Sequence, residues 1–203
     1  MNVAHVEFLV EEPSMEAFLR ELLPRLLGQV HFSIRTFQCK DDLLKKLPQR
    51  LRGYAWYPEN YRIVVVVDRD DDDCHKLKQV LEQHALAAGL PTRTQPRGAH
   101  FTVINRIVIE ELEAWYFGDW EAVRKAYPWV KVTVPQQAGY RDPDAIKGGT
   151  WEAFERVLQR IGYCKTGLRK IDAARKIALH IAPYRNTSRS FQLFRDAIVE
   201  LIA

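Results

Sequence analysis

The stretch that decides the fold is YRIVVVVDRDDDD, residues 61–73. From Ile63 to Val67 every residue is β-branched and apolar, which suits a central strand buried on both faces. The run then breaks into five aspartates within six positions, Asp68 and Asp70 to Asp73. Carboxylates at that density repel one another severely if they converge without a cation. A buried strand that ends in acid is the arrangement open α/β sheets use at the carboxyl edge of their strands, where a crevice opens for chemistry.

The flanking sequence extends this pattern in both directions. Residues 3–10 (VAHVEFLV) predict a buried strand, and Pro13-Ser14 starts a helix that ends near Gly28. That helix carries Phe18, Leu22, Leu23, Leu26 and Leu27 on one face. Residues 30–38 alternate as a half-exposed strand does, and a short helix follows at 41–52. After the central strand, a helix over 73–88 is closed by Gly89 and Pro91. A strand over 101–109 then runs into a helix at 110–118. From Pro143 onward the pattern is helical, near 150–161, 167–182 and 187–202. Alternation followed by helices predicts a mainly parallel sheet flanked by helices over 1–140, with a helical extension over 141–203 packed on it.

Composition sets the outer limits. A chain of 203 residues, 47% hydrophobic and 28% charged, has the balance of one soluble domain with an added subdomain. No apolar run approaches the ~18 residues of a membrane span, and no signal peptide opens the sequence, so no membrane and a cytoplasmic location are expected. Cys39, Cys74 and Cys164 are scattered and form no CxxC pair, which indicates neither a zinc ribbon nor a disulfide framework. Charge is uneven: residues 1–140 carry 18 Lys/Arg against 19 Asp/Glu, residues 141–203 carry 12 against 7. A basic surface for a phosphate backbone and a solvated helical surface both fit that asymmetry.

Three acidic groups stand where a strand ends. They are Glu11-Glu12, the aspartate run, and Glu110-Glu111-Leu112-Glu113. Asp68 at the strand end and Asp70 two residues on can be aimed at one ion by an extended or turning backbone, and magnesium takes such oxygen ligands. Asp71, Asp72 and Asp73 fit a solvated turn, with Asp72 or Asp73 capping the next helix. Ile109, Leu112, Trp115 and Tyr116 form an apolar helix face, which leaves Glu110 and Glu113 together on another face. His75 begins a helix and has no second histidine at matching spacing. Tyr54, Trp56, Tyr57 and Tyr61, interleaved with Arg52 and Arg62, fit either a covered sheet edge or a base-stacking surface. P-loop, GxGxxG, HExxH and GxSxG motifs are absent.

In order along the chain, VEEPSMEAF (10–18) and VVVVDRDDDD (64–73) resemble the glutamate loop and the DxD of TOPRIM domains, with Glu11, Asp68 and Asp70 at the motif positions. Together with IEELEAWYFGD, DPDAIK and GYCKTG, they resemble a bacterial family catalogued as domain of unknown function 4276. That family is similar to the TOPRIM part of overcoming-lysogenization-defect nucleases. The resemblance implies a TOPRIM-like α/β fold and metal-assisted cleavage or transfer at a phosphodiester of DNA or RNA, with a separate ATPase as partner. It implies that Asp68, Asp70 and Glu113 hold Mg²⁺ or Mn²⁺, that Glu11 is a ligand or general base, and that Lys165, with Arg169, balances phosphate charge. The sequence departs from the motif at Glu12, where glycine is usual, and at Met15, where an acid is expected. A catalytically eroded module for nucleic-acid or partner-protein binding is the alternative that those two positions favour.

Overall fold

The computed structural model describes residues 2–203, and at its centre lies β3 (Tyr61–Asp68). Successive strand side chains point to opposite faces, so Val64 and Val66 enter one apolar cluster while Ile63, Val65 and Val67 enter another. On one side of β3 runs β1 (His5–Val10), with Val10 opposite Val66. On the other runs β4 (Val103–Val108), with Asp68 opposite Val108. Beyond β1 lies β2 (His31–Thr36), which gives the order β2-β1-β3-β4 with every pairing parallel. Parallel pairing sends all the strand carboxyl ends to one edge. Glu11 and Asp68 therefore emerge side by side, and the parallel α/β architecture expected from the sequence is what forms.

Helices cover both faces. One face receives α2 (Lys40–Tyr54) and α3 (Cys74–Ala87). The i, i+4 stripe Leu43, Leu47 and Leu51 packs there with Leu77 and Leu81. The other face receives α1 (Pro13–Leu27), which opens on a proline whose missing N–H costs nothing at a helix start. Over α1 lie α7 (Lys170–Ala178) and α8 (Arg189–Ile202), while α6 (Thr150–Gln159) packs on residues 113–118. Phe154, Ile177, Phe191 and Phe194 join Phe8, Phe18 and Val66 in a single cluster, so residues beyond 141 complete the core on that side. Arg25, near the end of α1, donates to the carbonyls of Ala178, the last residue of α7, and of Ile181 just beyond it.

Four elements differ from the sequence expectation. The second helix is longer than predicted, running through Pro48, because its leucine stripe holds it against the sheet. The helix expected from residue 110 begins only at Glu113, as α4 (Glu113–Gly118). Glu110 is held back by pairing: its carbonyl accepts the Asp70 N–H at 3.0 Å and its carboxylate pairs with Arg69. Residues 119–142 carry no predicted element, yet α5 (Trp120–Ala126) forms there. Its N-cap Asp119 is buried and also accepts from Ala182 N at 2.7 Å and Arg185 Nε at 2.8 Å, a long-range tether with no local signature. Finally, α7 spans 170–178 where 167–182 is predicted. Among the described residues no helix is long and apolar enough to cross a membrane.

Glu82 on α3 gives this scaffold a measurable acid limit. Its carboxylate is buried and accepts from Lys78 Nζ at 2.9 Å, Asn105 Nδ2 at 2.8 Å and the Thr94 hydroxyl. Burial pushes the carboxyl up, but these hydrogen bonds, Lys78 foremost, outweigh it and hold it at about 2. A carboxylate held below its ordinary 4.5 contributes stability that is present above 4.5 and is lost as pH falls through 2. Glu82→Gln is therefore expected to cost about 1–3 kcal/mol at pH 7, and the difference should shrink as pH drops from 4.5 toward 2. Chemical denaturation of both proteins across that range checks it; a constant difference would refute the assignment.

Candidate functional site

The site is built from chain ends that the sheet brings together. Glu11 follows β1 directly, and its Oε1 accepts the backbone N–H of Asp68, the last residue of β3, at 3.1 Å. The two side chains are 6% and 4% exposed, and Glu11 Oε2 and Asp68 Oδ1 have no hydrogen-bond partner among the described residues. Glu113 opens α4 at 1% exposure, and neither of its oxygens has a partner; the Tyr116 hydroxyl, one turn on, has none either. Buried polar groups are nearly always hydrogen-bonded. A set of unsatisfied carboxyl oxygens at one sheet edge is therefore a place shaped to take up protons, water or a cation.

Electrostatics says the same. Burial, then the charges of Glu11, Glu12, Glu113 and Asp70, push the Asp68 carboxyl well above its usual range. Burial pushes Glu11 up to about 7, against the opposing hydrogen bond from the Asp68 backbone. Burial also raises Glu113 to about 8, with the Lys170 ammonium partly offsetting it. Lys170 is itself half-buried; burial lowers its pKa, but Glu113, Glu12, Glu111 and Asp68 together turn the shift upward. Without a cation, the cluster stores protons at neutral pH.

The aspartate run does not converge on this point. Asp70 adopts φ 48°, a left-handed conformation that Asp tolerates better than most residues. Its Oδ2 meets Lys40 Nζ at 2.6 Å, and Asp72 meets the same ammonium at 2.7 Å. Lys40 also donates to the carbonyls of Asp68 and Arg69, at 3.3 and 3.0 Å. The cation that the crowded run requires is thus a lysine at the start of α2. Asp73 caps α3, accepting from His75 N and Lys76 N, as the spacing predicts.

The first loop is less altered than its letters suggest. Glu12 sits at φ −143°, ψ 158°, extended backbone that any residue adopts, so no glycine is needed there. Its carboxylate accepts from Ser14 Oγ and adds negative charge beside Asp68. Met15 is 1% exposed in the core, and Glu16 pairs with Arg20 at 2.6 Å. Glu113 is not on a charged helix surface beside Glu110, as the sequence implies; it is buried, while Glu110 pairs with Arg69. Glu111 fastens α6, accepting from Thr150 N, Thr150 Oγ1 and Trp151 N, each at 3.0 Å.

Lys165 lies on the loop before α7 and lines a separate cavity of about 280 Å³ with Tyr127, Tyr163 and Arg169. Arg169 is 84% exposed and pairs with Asp172 at 2.9 Å. Lys170, absent from the motif-based set, is the cation whose charge the carboxylates feel. Nothing in its local sequence separates it from the other lysines of the helical region.

The donor set fits a hard cation in part. Mg²⁺ commonly takes one or two carboxylates and fills its remaining positions with water and phosphate. Glu11, Asp68 and Glu113 each offer an oxygen without a partner. Among the described residues, however, no three His, Cys, Asp or Glu side chains already stand as a complete metal cage.

Burial of Glu113 has a directional consequence for stability. An acid whose folded pKa is raised contributes stability that is full below its ordinary 4.5 and lost as pH climbs through about 8. In metal-free buffer, Glu113→Gln should match the wild type near pH 5 and exceed it at pH 9, by on the order of 3 kcal/mol or ~6–12 °C in Tm. Thermal unfolding in EDTA at both pH values measures this. Equal melting at pH 9 would mean that Glu113 ionises freely and is solvated.

No curated protein sequence matches the chain. Among solved structures, the C-terminal region of the Burkholderia pseudomallei OLD protein is similar at 15% identity and a TM-score of 0.48, over 100% of both chains. The C-terminal region of the Xanthomonas campestris pv. campestris OLD protein is similar at 16% identity and a TM-score of 0.43, over 96% of this chain and 94% of that one. The family described as domain of unknown function (DUF4276) matches residues 10–199, from the last residue of β1 into α8, and the chain belongs to it.

Proposed function

We propose that this chain is a Mg²⁺- or Mn²⁺-dependent nuclease or phosphoryl-transfer protein of the TOPRIM type, acting on DNA or RNA with a separate ATPase. The observation that carries the proposal is the group of buried, unsatisfied oxygens on Glu11, Asp68 and Glu113. Asp68 and Glu113 would hold the ion, with Glu11 either joining them or taking a proton from the attacking water, and Asp70 would join only by giving up its ion pair with Lys40. A bound divalent ion supplies Lewis-acid polarisation of a phosphoryl oxygen.

The chain's own groups supply the rest. Glu11, near 7 in the absence of a cation, is matched to neutral-pH proton transfer. Lys170 is placed to offset the charge of a phosphate approaching Glu113, and Lys165 serves the strand further along. Lys40 fixes the Asp68-to-Asp72 turn by ion pairs and carbonyl contacts, so the ligands start from a defined geometry.

A second reading, a nucleic-acid or partner-protein binding module without catalysis, is favoured by one observation: no complete three-donor cage stands among the described residues. Calorimetry with Mg²⁺ and Mn²⁺, in two buffers of different ionisation enthalpy, separates the two. Saturable binding with release of about one proton near pH 7 is expected, because the raised carboxyls must ionise to bind. Asp68→Asn should abolish it, together with metal-dependent cleavage of DNA or RNA oligonucleotides. Nucleic-acid binding with neither metal uptake nor cleavage would establish the module instead.

A further inference from the structure

Trp129 is 72% exposed, yet one face of its ring is fixed against Tyr163, with centroids 5.3 Å apart and planes 25° from parallel. Tyr163 is braced in turn, edge-on, by the buried Tyr127 at 5.1 Å. A large aromatic held rigidly on one side and open on the other is unusual for a surface with no partner. Water gains nothing from such a ring, but a flat π-system can stack on it at little entropic cost.

The charges beside this stack are mostly positive, three cations against the single acid Asp172 in the cavity lining. Tyr163 opens the loop that carries Lys165 and Arg169, and Lys176 lines the same cavity of about 280 Å³. Asp172 pairs with Arg169, and Glu155 is turned to the Leu168 N–H at 2.6 Å. Lys165 and Lys176 have no acidic partner within salt-bridge distance among the described residues. The loop then ends at Lys170, whose ammonium lies over the Trp151 ring at 5.0 Å and borders the Glu113 carboxylate. Aromatic platform and cations thus sit on one loop, and the residue that ends it, Lys170, feels the charge of Glu113.

We propose that Trp129 and Tyr163, with Lys165, Arg169 and Lys176, form a docking site for a single-stranded segment of nucleic acid: a base stacks on Trp129 and the adjoining phosphates lie on the cations. This rests on the nuclease reading only for its orientation, since it leads the strand toward Glu113. A duplex hides its base faces in its own stack, so only an unpaired nucleotide can offer one to Trp129. In the Tyr54, Trp56, Tyr57 and Tyr61 group, the three tyrosine rings pack on one another, and Trp56, 91% exposed, has no ring stacked against it among the described residues.

The test is fluorescence anisotropy of a labelled oligo-dT of about 15 nucleotides, and of the same length as duplex, in EDTA, so that the outcome is independent of metal and of cleavage. The single strand should bind more tightly than the duplex. Trp129→Ala should weaken it about 5- to 150-fold, the equivalent of losing one base–aromatic stack, while Trp129→Phe retains most of it. Lys165→Ala and Arg169→Ala should each reduce the slope of log Kd against log salt by ~0.7. Trp129 is exposed, so both of its variants should melt as the wild type does, which keeps loss of binding distinct from loss of fold. Equal affinity for duplex, indifference to Trp129→Ala, or no binding at low salt would each overturn the site. Failure of metal-dependent cleavage alone would count against the nuclease reading and leave this one standing.

Discussion

The contact between the Glu11 carboxylate and the Asp68 backbone N–H is the constraint on which the site depends. It exists because β1 and β3 are parallel neighbours in fixed register, Val10 beside Val66. A slip of one residue would turn every core valine of β3 to the wrong face. The apolar packing on both sides of β3 therefore also positions two acids at one edge. The same hydrogen bond takes up one Glu11 oxygen and leaves the other facing a buried, acid-rich space. Fold and site are in this sense set by one register.

That arrangement runs against stability. Asp68, Glu11 and Glu113 all have pKa values raised by burial, which means that the folded chain disfavours their ionised forms. A protein selected only for stability would replace such groups with apolar residues or pair them fully. Elsewhere this chain does pair its buried acids: Glu82 with Lys78 and Asn105, Asp119 with Arg185, Glu7 with Tyr54 and Arg35. The contrast between satisfied and unsatisfied acids within one core marks the edge at Glu11 and Asp68 as different in purpose.

Much of this was legible in the sequence, for physical reasons that can be named. Ile63 to Val67 announce a doubly buried strand, and Asp73 announces a helix start, because both signals are local. Glu113 could be chosen as a site residue by its place in IEELEAWYFGD, but not as a buried one. Its surroundings come from Tyr116 on its own helix and Lys170 from far along the chain. Lys40 was illegible for the same reason, since its ligands lie 28 to 32 residues away at the end of another strand. Glu12 shows the converse error: glycine's usual place in the motif suggests a special backbone, whereas here the residue is plainly extended. Short α5 escaped notice because its N-cap Asp119, which accepts Ala122 N locally, is held in the core by Arg185 and Ala182 from far along the chain.

The contact of Arg25 with the end of α7 fixes more than a helix terminus. It sets the last turn of α1 against the last turn of α7, and the two helices pack along each other so that Lys170, at the start of α7, feels the charge of Glu12, just ahead of α1. The two helices therefore run in the same direction, and both direct the positive ends of their macrodipoles, roughly half an elementary charge apiece, toward the carboxylates. Parallel neighbouring dipoles repel, and the sheet and the Arg25 clamp hold them there nonetheless. What results is a fixed field that favours an anion at that edge before any metal or side-chain cation is counted, and that substitution of no single residue would remove.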